Sequence, residues 1–270
     1  IADGEVNLIV GTHALFQDQV DYHDLGLAVI DEQHRFGVNQ RQALRLKGHS
    51  TNMLAMTATP IPRTLAITMY GDMDVSVIDQ MPQGRKPIKT TWIPSAKTDS
   101  ALRFVKKQLD LGNQIYVVTP LIEESEAVDM KNATAIFERF KAIFEPQYAV
   151  GLLHGQMSDQ EKDQAMQDFK NNQFQVMVAT TVIEVGVDVA NANTMLIFDA
   201  DHFGLAQLHQ LRGRVGRGST QAYCILIADP KNEIGKQRMT AVASSTDGFF
   251  LSQKDLELRG QGDIAGNKQS

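Results

Sequence analysis

The sequence predicts an α/β protein built on parallel sheets. Three observations carry that class: apolar runs of strand length recur along the chain, helical patterns lie between several of them, and acidic or small polar residues directly follow several runs. Runs suited to buried parallel strands fall at residues 6–10, 27–30, 53–56, 115–119, 149–153, 176–179, 195–198 and 223–227, with a further strand at 88–93. The clearest helix start is Ser158-Asp159-Gln160-Glu161, where the Ser hydroxyl can bond the backbone donor three residues on while Glu161 reaches back. Ala165, Met166 and Phe169 then form one apolar face, so a helix is expected from 158 to about 171. Two prolines and a glycine in Met81-Pro82-Gln83-Gly84-Arg85-Lys86-Pro87 mark a linker. The expected organisation is therefore residues 1–84, too short for a complete α/β domain; residues 85–230, with the length and element count of one; and residues 231–270, read as helices followed by a glycine-punctuated loop from Arg259 through Gly266. In such sheets ligands gather at the carboxyl ends of the strands.

Composition narrows the function classes. A hydrophobic share of 43% with 21% charged residues is ordinary for a cytoplasmic protein, and no stretch approaches the ~18 apolar residues a membrane span needs. The start, Ile1-Ala2-Asp3-Gly4-Glu5, has neither a signal peptide's pattern nor an initiator Met, which predicts a piece of a longer protein. A lone cysteine, Cys224, excludes a disulfide framework and any multi-cysteine zinc site, and its apolar neighbours make it a small core residue. The net charge of −6 argues against a general polycation. Local charge tells more: no acid lies between Asp201 and Asp229, while Arg212, Arg214 and Arg217 cluster inside that gap and call for an anionic partner.

The chemistry-bearing residues follow strands. In Leu27-Ala28-Val29-Ile30-Asp31-Glu32-Gln33-His34, two carboxylates are carried to a sheet edge, where one can hold magnesium through water and the other can orient or deprotonate an attacking water. An Asp-Glu pair there also suits a solvated turn. Thr57-Ala58-Thr59 closes the next run with small hydroxyl residues, which suit a helix cap equally well. Leu153-His154-Gly155 ends another; a lone His is often structural. Thr180 and Thr181, with Gly186 and Asp188 beyond them, could bond a nucleic-acid phosphate and a ribose or arginine. Most informative is Gln207-Leu208-His209-Gln210-Leu211-Arg212-Gly213-Arg214-Val215-Gly216-Arg217: on a helix, Arg214 and Arg217 would share a face and reach a polyphosphate together. The bland reading is an exposed basic helix end.

Taken in order, these motifs resemble those of superfamily-2 helicases. Asp31-Glu32-Gln33-His34-Arg35-Phe36-Gly37-Val38, together with Asp255-Leu256-Glu257-Leu258-Arg259-Gly260-Gln261-Gly262-Asp263 and Gln269, narrows the resemblance to the bacterial RecG helicases, over essentially the whole chain. The transcription-repair coupling translocases share the arginine element and tail but typically show a second acid where Gln33-His34 stands. The resemblance implies RecA-like lobes, the first partial and the second complete, plus a C-terminal helical translocation hairpin, with ATP between the lobes. It implies Asp31 as the magnesium-holding acid, Glu32 as the water-activating acid, and Arg214 and Arg217 at the nucleotide. Gln33, His34, Gly186, Asp188 and Gln210 would serve nucleotide binding, and Thr57, Thr59, Arg259 and Gln269 coupling. Gly11, Thr12, His154, Gly155, Thr180 and Thr181 would touch DNA. The implied partners are ATP, Mg2+, and double-stranded and branched DNA such as forks and Holliday junctions, worked on by a monomeric parent protein.

One departure stands out. No G-x-x-x-x-G-K-[ST] segment is present: the one Gly-Lys pair, Gly235-Lys236, is followed by Gln237 and lacks the upstream glycine. Without that loop, the β- and γ-phosphates lose their main ligands, so these residues alone are not expected to hydrolyse ATP. The first segment should also expose sheet edge and apolar surface, and self-association through it is expected. A non-catalytic nucleotide- or DNA-binding module is the alternative; a metal hydrolase built on Asp31 and Glu32 is more remote, since no His/Cys/Asp cluster accompanies them.

Overall fold

The computed structural model describes residues 1–32, 38–62, 65–66, 71, 73–121, 125–180 and 188–266, with side chains for all of these except 38, 39, 41, 126 and 261–266. The chain divides into two compact units, Ile1–Pro60 and Ile61–Ser270.

In the first unit, β1 (Leu27–Ile30) and β2 (Asn52–Ala55) pair in parallel, Leu27 opposite Asn52 and Ile30 opposite Ala55. Helix α1 (Val38–Arg45) makes the crossover. Alternation along β1 sends Ala28 and Ile30 into a small core with Leu44 of α1, joined by Phe16, Leu25 and Met53. The opposite face is open: Leu27, Val29 and Leu54 are each more than half exposed. This agrees with the apolar surface expected for the segment. The expected strand at 6–10 is not formed. Residues 5–11 carry no regular structure, and Leu8 and Val10 are 82% and 90% exposed. An apolar run becomes a strand only where a neighbour takes its backbone hydrogen bonds, and here β1 pairs with β2 alone among the described strands.

The second unit contains a six-stranded parallel sheet in the order β3-β8-β7-β4-β6-β5. Its strands are β3 (Lys89–Ile93), β4 (Gln114–Val118), β5 (Val150–Leu153), β6 (Val176–Ala179), β7 (Ala192–Ile197) and β8 (Tyr223–Ile227). Each overlaps its expected run, and β7 begins three residues earlier than the run at 195–198 because Ala192, Asn193 and Thr194 are also buried in the sheet. Helices α2 (Thr98–Asp110) and α3 (Glu126–Phe144) cover one face, packing Val105, Leu109, Phe140 and Phe144 on Ile115, Val117, Val178 and Leu196. The other face carries α4 (Asp159–Lys170), α5 (Leu205–Arg212), α6 (Glu233–Ser244) and α7 (Gly248–Gly266), with Phe169, Leu208, Met239 and Leu258 packed on Tyr116, Met177 and Met195. Both faces are thus buried, which explains the continuous rather than alternating apolar strands.

The capping box forms: Ser158 Oγ accepts the Glu161 N–H at 3.2 Å, and a Glu161 carboxylate oxygen accepts the Ser158 N–H at 2.7 Å. The loop expected after Arg259 is instead helical, since α7 runs on to Gly266. Leu251 and Leu258, each 1% exposed, lock α7 onto the sheet-facing core. Burying a leucine is worth about 1.5–3 kcal/mol, against about 1 kcal/mol lost per helical glycine, so tertiary packing outweighs the glycines. Residues 74–87, spanning the expected linker, have no regular structure and are exposed.

Candidate functional site

The first unit places its two motifs on one edge. Asp31 and Glu32 follow β1, Thr57 and Thr59 follow β2, and the Met56 N–H to Ile30 carbonyl bond (2.8 Å) continues the pairing to that edge. Asp31 Oδ1 accepts the Glu32 N–H at 2.9 Å, and Glu32 adopts φ +53°, a left-handed conformation uncommon outside glycine. Both carboxylates are exposed. Thr57 Oγ1 accepts the Thr59 N–H at 3.1 Å, a local turn bond. Among the described residues no group of three His, Cys, Asp or Glu side chains could enclose a metal. That donor set suits Mg2+, which keeps most of its waters and needs only one or two carboxylates beside a nucleotide's phosphates. Gly11 and Thr12 lie at the exposed start of a short 3-10 turn, His13–Phe16, without a side-chain cap bond.

In the second unit Arg214 and Arg217 are not on a helix. Helix α5 ends at Arg212, and Gly213 is its cap. Arg214 and Arg217 belong to the turn that follows, where Gly216 takes φ +81°. A Cβ at Gly216 would sit 3.2 Å from Ile88 and 3.3 Å from Ala222, so the turn is both left-handed and tightly enclosed. Val215, 2% exposed, pegs the turn into the core between the two arginines. An ion pair of 3.8 Å joins Arg217 Nη1 to Asp188 Oδ1, bringing together two of the expected nucleotide-binding residues. Under the turn, burial pushes the Tyr116 hydroxyl up to about 12, with Arg214 and Arg217 opposing.

Arg212 has a separate role. It is 2% exposed, and its guanidinium donates to the Val242 carbonyl of α6 at 2.7 Å and to Thr90 Oγ1 of β3 at 3.3 Å, with His209 Nδ1 a further 3.3 Å contact. Burial holds its pKa below the ordinary value. Burial, then the Arg212 charge, lowers that of His209. Arg212 therefore ties α5 to α6 and β3 from inside, a job its place in a basic cluster does not reveal. Arg259 pairs with Asp255 at 3.0 Å one turn earlier on α7, and its guanidinium lies beside Gly204 at the start of α5. Gln210 is exposed on α5.

His154, Gly155 and Thr180 sit at the carboxyl ends of β5 and β6, joined by the Thr180 N–H to Leu153 carbonyl bond of 3.2 Å. Gln33, His34, Thr181, Gly186 and Gln269 lie outside the described residues.

This arrangement can be set beside known proteins. Residues 97–219 match the helicase conserved C-terminal domain, and residues 1–67 match the DEAD/DEAH box helicase family. The ATP-dependent DNA helicase RecG of Bacillus subtilis is 57% identical over the whole chain, and that of Streptococcus pneumoniae 58%. The chain belongs to the RecG family. It spans 40% of the length of both relatives. A solved RecG bound to a three-way DNA junction superposes on 94% of the chain and 33% of its own, with TM-score 0.75 and 43% identity. The Mycobacterium smegmatis helicase Lhr bound to ssDNA and AMP-PNP shares the fold, covering 80% of this chain and 31% of its own at TM-score 0.57 and 17% identity. Parallel α/β lobes of the RecA-like helicase type, inferred from the motifs, are thus what the chain forms.

Proposed function

We propose that this chain is the ATP-using and DNA-gripping part of an ATP-driven double-stranded DNA translocase that remodels branched DNA, forks and Holliday junctions included, in the bacterial cytoplasm. Identity of 57–58% to RecG helicases along all 270 residues carries this reading.

Each residue takes the role that the family resemblance implies and its chemistry allows. Asp31, exposed at the end of β1, would hold Mg2+ through water. Glu32, its backbone turned left-handed and its N–H fixed on Asp31, presents a carboxylate that orients and deprotonates the attacking water. Bound magnesium would neutralise charge on the phosphates. Arg214 and Arg217 stabilise charge building on the transferred phosphoryl group; in the structure Arg217 rests on Asp188. Gln33, His34, Gly186, Asp188 and Gln210 complete nucleotide binding. Thr57, Thr59, Arg259 and Gln269 relay its state to the DNA grip, in which Gly11 and Thr12 of the first unit, His154, Gly155 and Thr180 at the carboxyl edge of the second unit's sheet, and Thr181 hold backbone phosphates. Such contacts position DNA without reading sequence.

The 270 residues hold no phosphate-binding loop, so hydrolysis is expected only in a protein that joins them to one. The test is DNA-stimulated ATP hydrolysis by this chain beside a version extended to include that loop. Activity confined to the extended protein, and lost on Arg214→Ala or Glu32→Gln, is the expected result. Turnover by the 270-residue chain itself overturns the role given to the loop, and silence in both favours a non-catalytic nucleotide- or DNA-binding module.

A further inference from the structure

A surface lysine ordinarily keeps its ammonium in water. Lys47 turns its own inward. It stands two residues past the end of α1, on a turn closed by its N–H bond to the Leu44 carbonyl at 3.1 Å. From there Nζ donates to the Gln17 carbonyl at 3.0 Å and to the Val20 carbonyl, and lies 5.7 Å from the centre of the Tyr22 ring. The two carbonyls belong to one turn, since the Val20 N–H bonds that same Gln17 oxygen at 3.0 Å. Hydrogen bonds from a charged donor are stronger than neutral ones, so one ammonium gathers both carbonyls and the ring into a single clasp.

The clasp reaches further along the loop. The Tyr22 hydroxyl donates to the Leu15 carbonyl at 3.3 Å, and the Leu15 N–H bonds the Thr12 carbonyl at 3.0 Å. Lys47 is thereby linked through Tyr22 and Leu15 to Thr12, at the exposed start of the 3-10 turn. Close packing fixes the other side: a Cβ at Gly48 would fall 2.2 Å from the Leu25 carbonyl oxygen, so no side chain fits between the end of α1 and the chain entering β1. Helix α1 is itself the crossover from the strand that leads into Asp31 and Glu32 to the strand that leads toward Thr57 and Thr59. The loop bearing Gly11 and Thr12 is therefore fastened to the helix that joins both motifs.

We propose that Lys47 is a positioning residue for the DNA contact of Gly11 and Thr12. Its ammonium is engaged with the loop rather than with a phosphate, and it acts by holding residues 11–22 on α1. The assignment rests on the DNA-gripping role proposed above for Gly11 and Thr12.

The test uses the 270-residue chain with Lys47→Met, which keeps an unbranched apolar stem and removes the ammonium, and Tyr22→Phe, which removes one hydroxyl without changing charge. Amide hydrogen exchange and binding of a fluorescent DNA duplex across a range of salt are measured for each. Lys47→Met should speed exchange over residues 11–22, leave β1 and β2 as in the parent, and weaken duplex binding by about fivefold or more. Tyr22→Phe should act in the same direction by about twofold. Salt separates holding from touching. Loss of a lysine–phosphate contact lowers the slope of log affinity against log salt by about 0.9, whereas loss of the clasp leaves that slope unchanged, because Gly11 and Thr12 carry no charge. A shallower slope for Lys47→Met, or full affinity in it, overturns the proposal. So does faster exchange spread equally through β1 and β2, which would make Lys47 a prop of the whole unit. Exchange over residues 11–22 that matches the parent overturns the clasp itself. A parent that binds no duplex at low salt overturns the DNA-gripping role and, with it, the part given to Lys47.

Discussion

The two units use the same strand-building material to opposite effect. Leu27–Ile30 and Val176–Ala179 are both four-residue apolar strands in parallel pairs, yet β1 is buried at alternate residues and β6 at every one. The difference lies in the neighbours: among the described residues, β6 has strands on both sides and helices on both faces, while β1 has one strand and one small core. Apolar sequence sets what can be buried, and the surrounding elements decide what is.

The largest effect that could break this comparison is a pair of truncations. Phe169→Ala removes a fully buried ring packed edge-on against Tyr116 at 4.9 Å, and should cost about 3–5 kcal/mol. Leu54→Ala, at a side chain 52% exposed, should change stability by about 0.5 kcal/mol or less. Denaturant titration compares them, and equal losses would mean that the open face of β1 and β2 is covered in solution.

A middle-sized effect concerns that same face. With Leu27, Val29 and Leu54 exposed together, the chain should self-associate, and Val29→Lys with Leu54→Lys should shift it toward monomer in sedimentation velocity. A mass distribution that ignores both charges assigns any association to another surface.

The smallest effect sharpens the view of the better-buried unit. Ser158→Ala should cost about 1 kcal/mol at neutral pH. Bonds from Ser158, its backbone N–H first, hold the Glu161 carboxyl below its ordinary value. A lowered folded pKa means stabilisation that is complete above the ordinary carboxylate value and lost as pH falls through the folded one. The gap between parent and Glu161→Ala should therefore narrow between about pH 7 and about pH 3, where free carboxyls protonate. A constant gap would show that Ser158 caps α4 without Glu161.

Much of this was legible beforehand, for identifiable reasons. Strands β1, β6 and β8 occupy their apolar runs to the residue, and the Ser158 cap depends on side chains three positions apart, a wholly local matter. Residues 6–10 look equally strand-like, but strand formation needs a partner that no local pattern supplies. The arginine turn shows a second limit. Spacing of three suggests a shared helical face, whereas the helix stops at its Gly213 cap before either arginine. Arg212 shows a third, since its acceptor in α6 lies thirty residues away and reaches it only through the fold.

Gly216 carries a consequence for how such a chain can drift. At Gly112, which is also left-handed at φ +89°, a side chain would meet open space, so asparagine could stand there at small cost. At Gly216 the same backbone conformation coincides with Ile88 and Ala222 at 3.2 and 3.3 Å. Any replacement there must displace the arginine turn or its two neighbours. The repertoire of neutral substitutions, wide at one glycine, narrows sharply at the other, where strained backbone and close neighbours act on the same position.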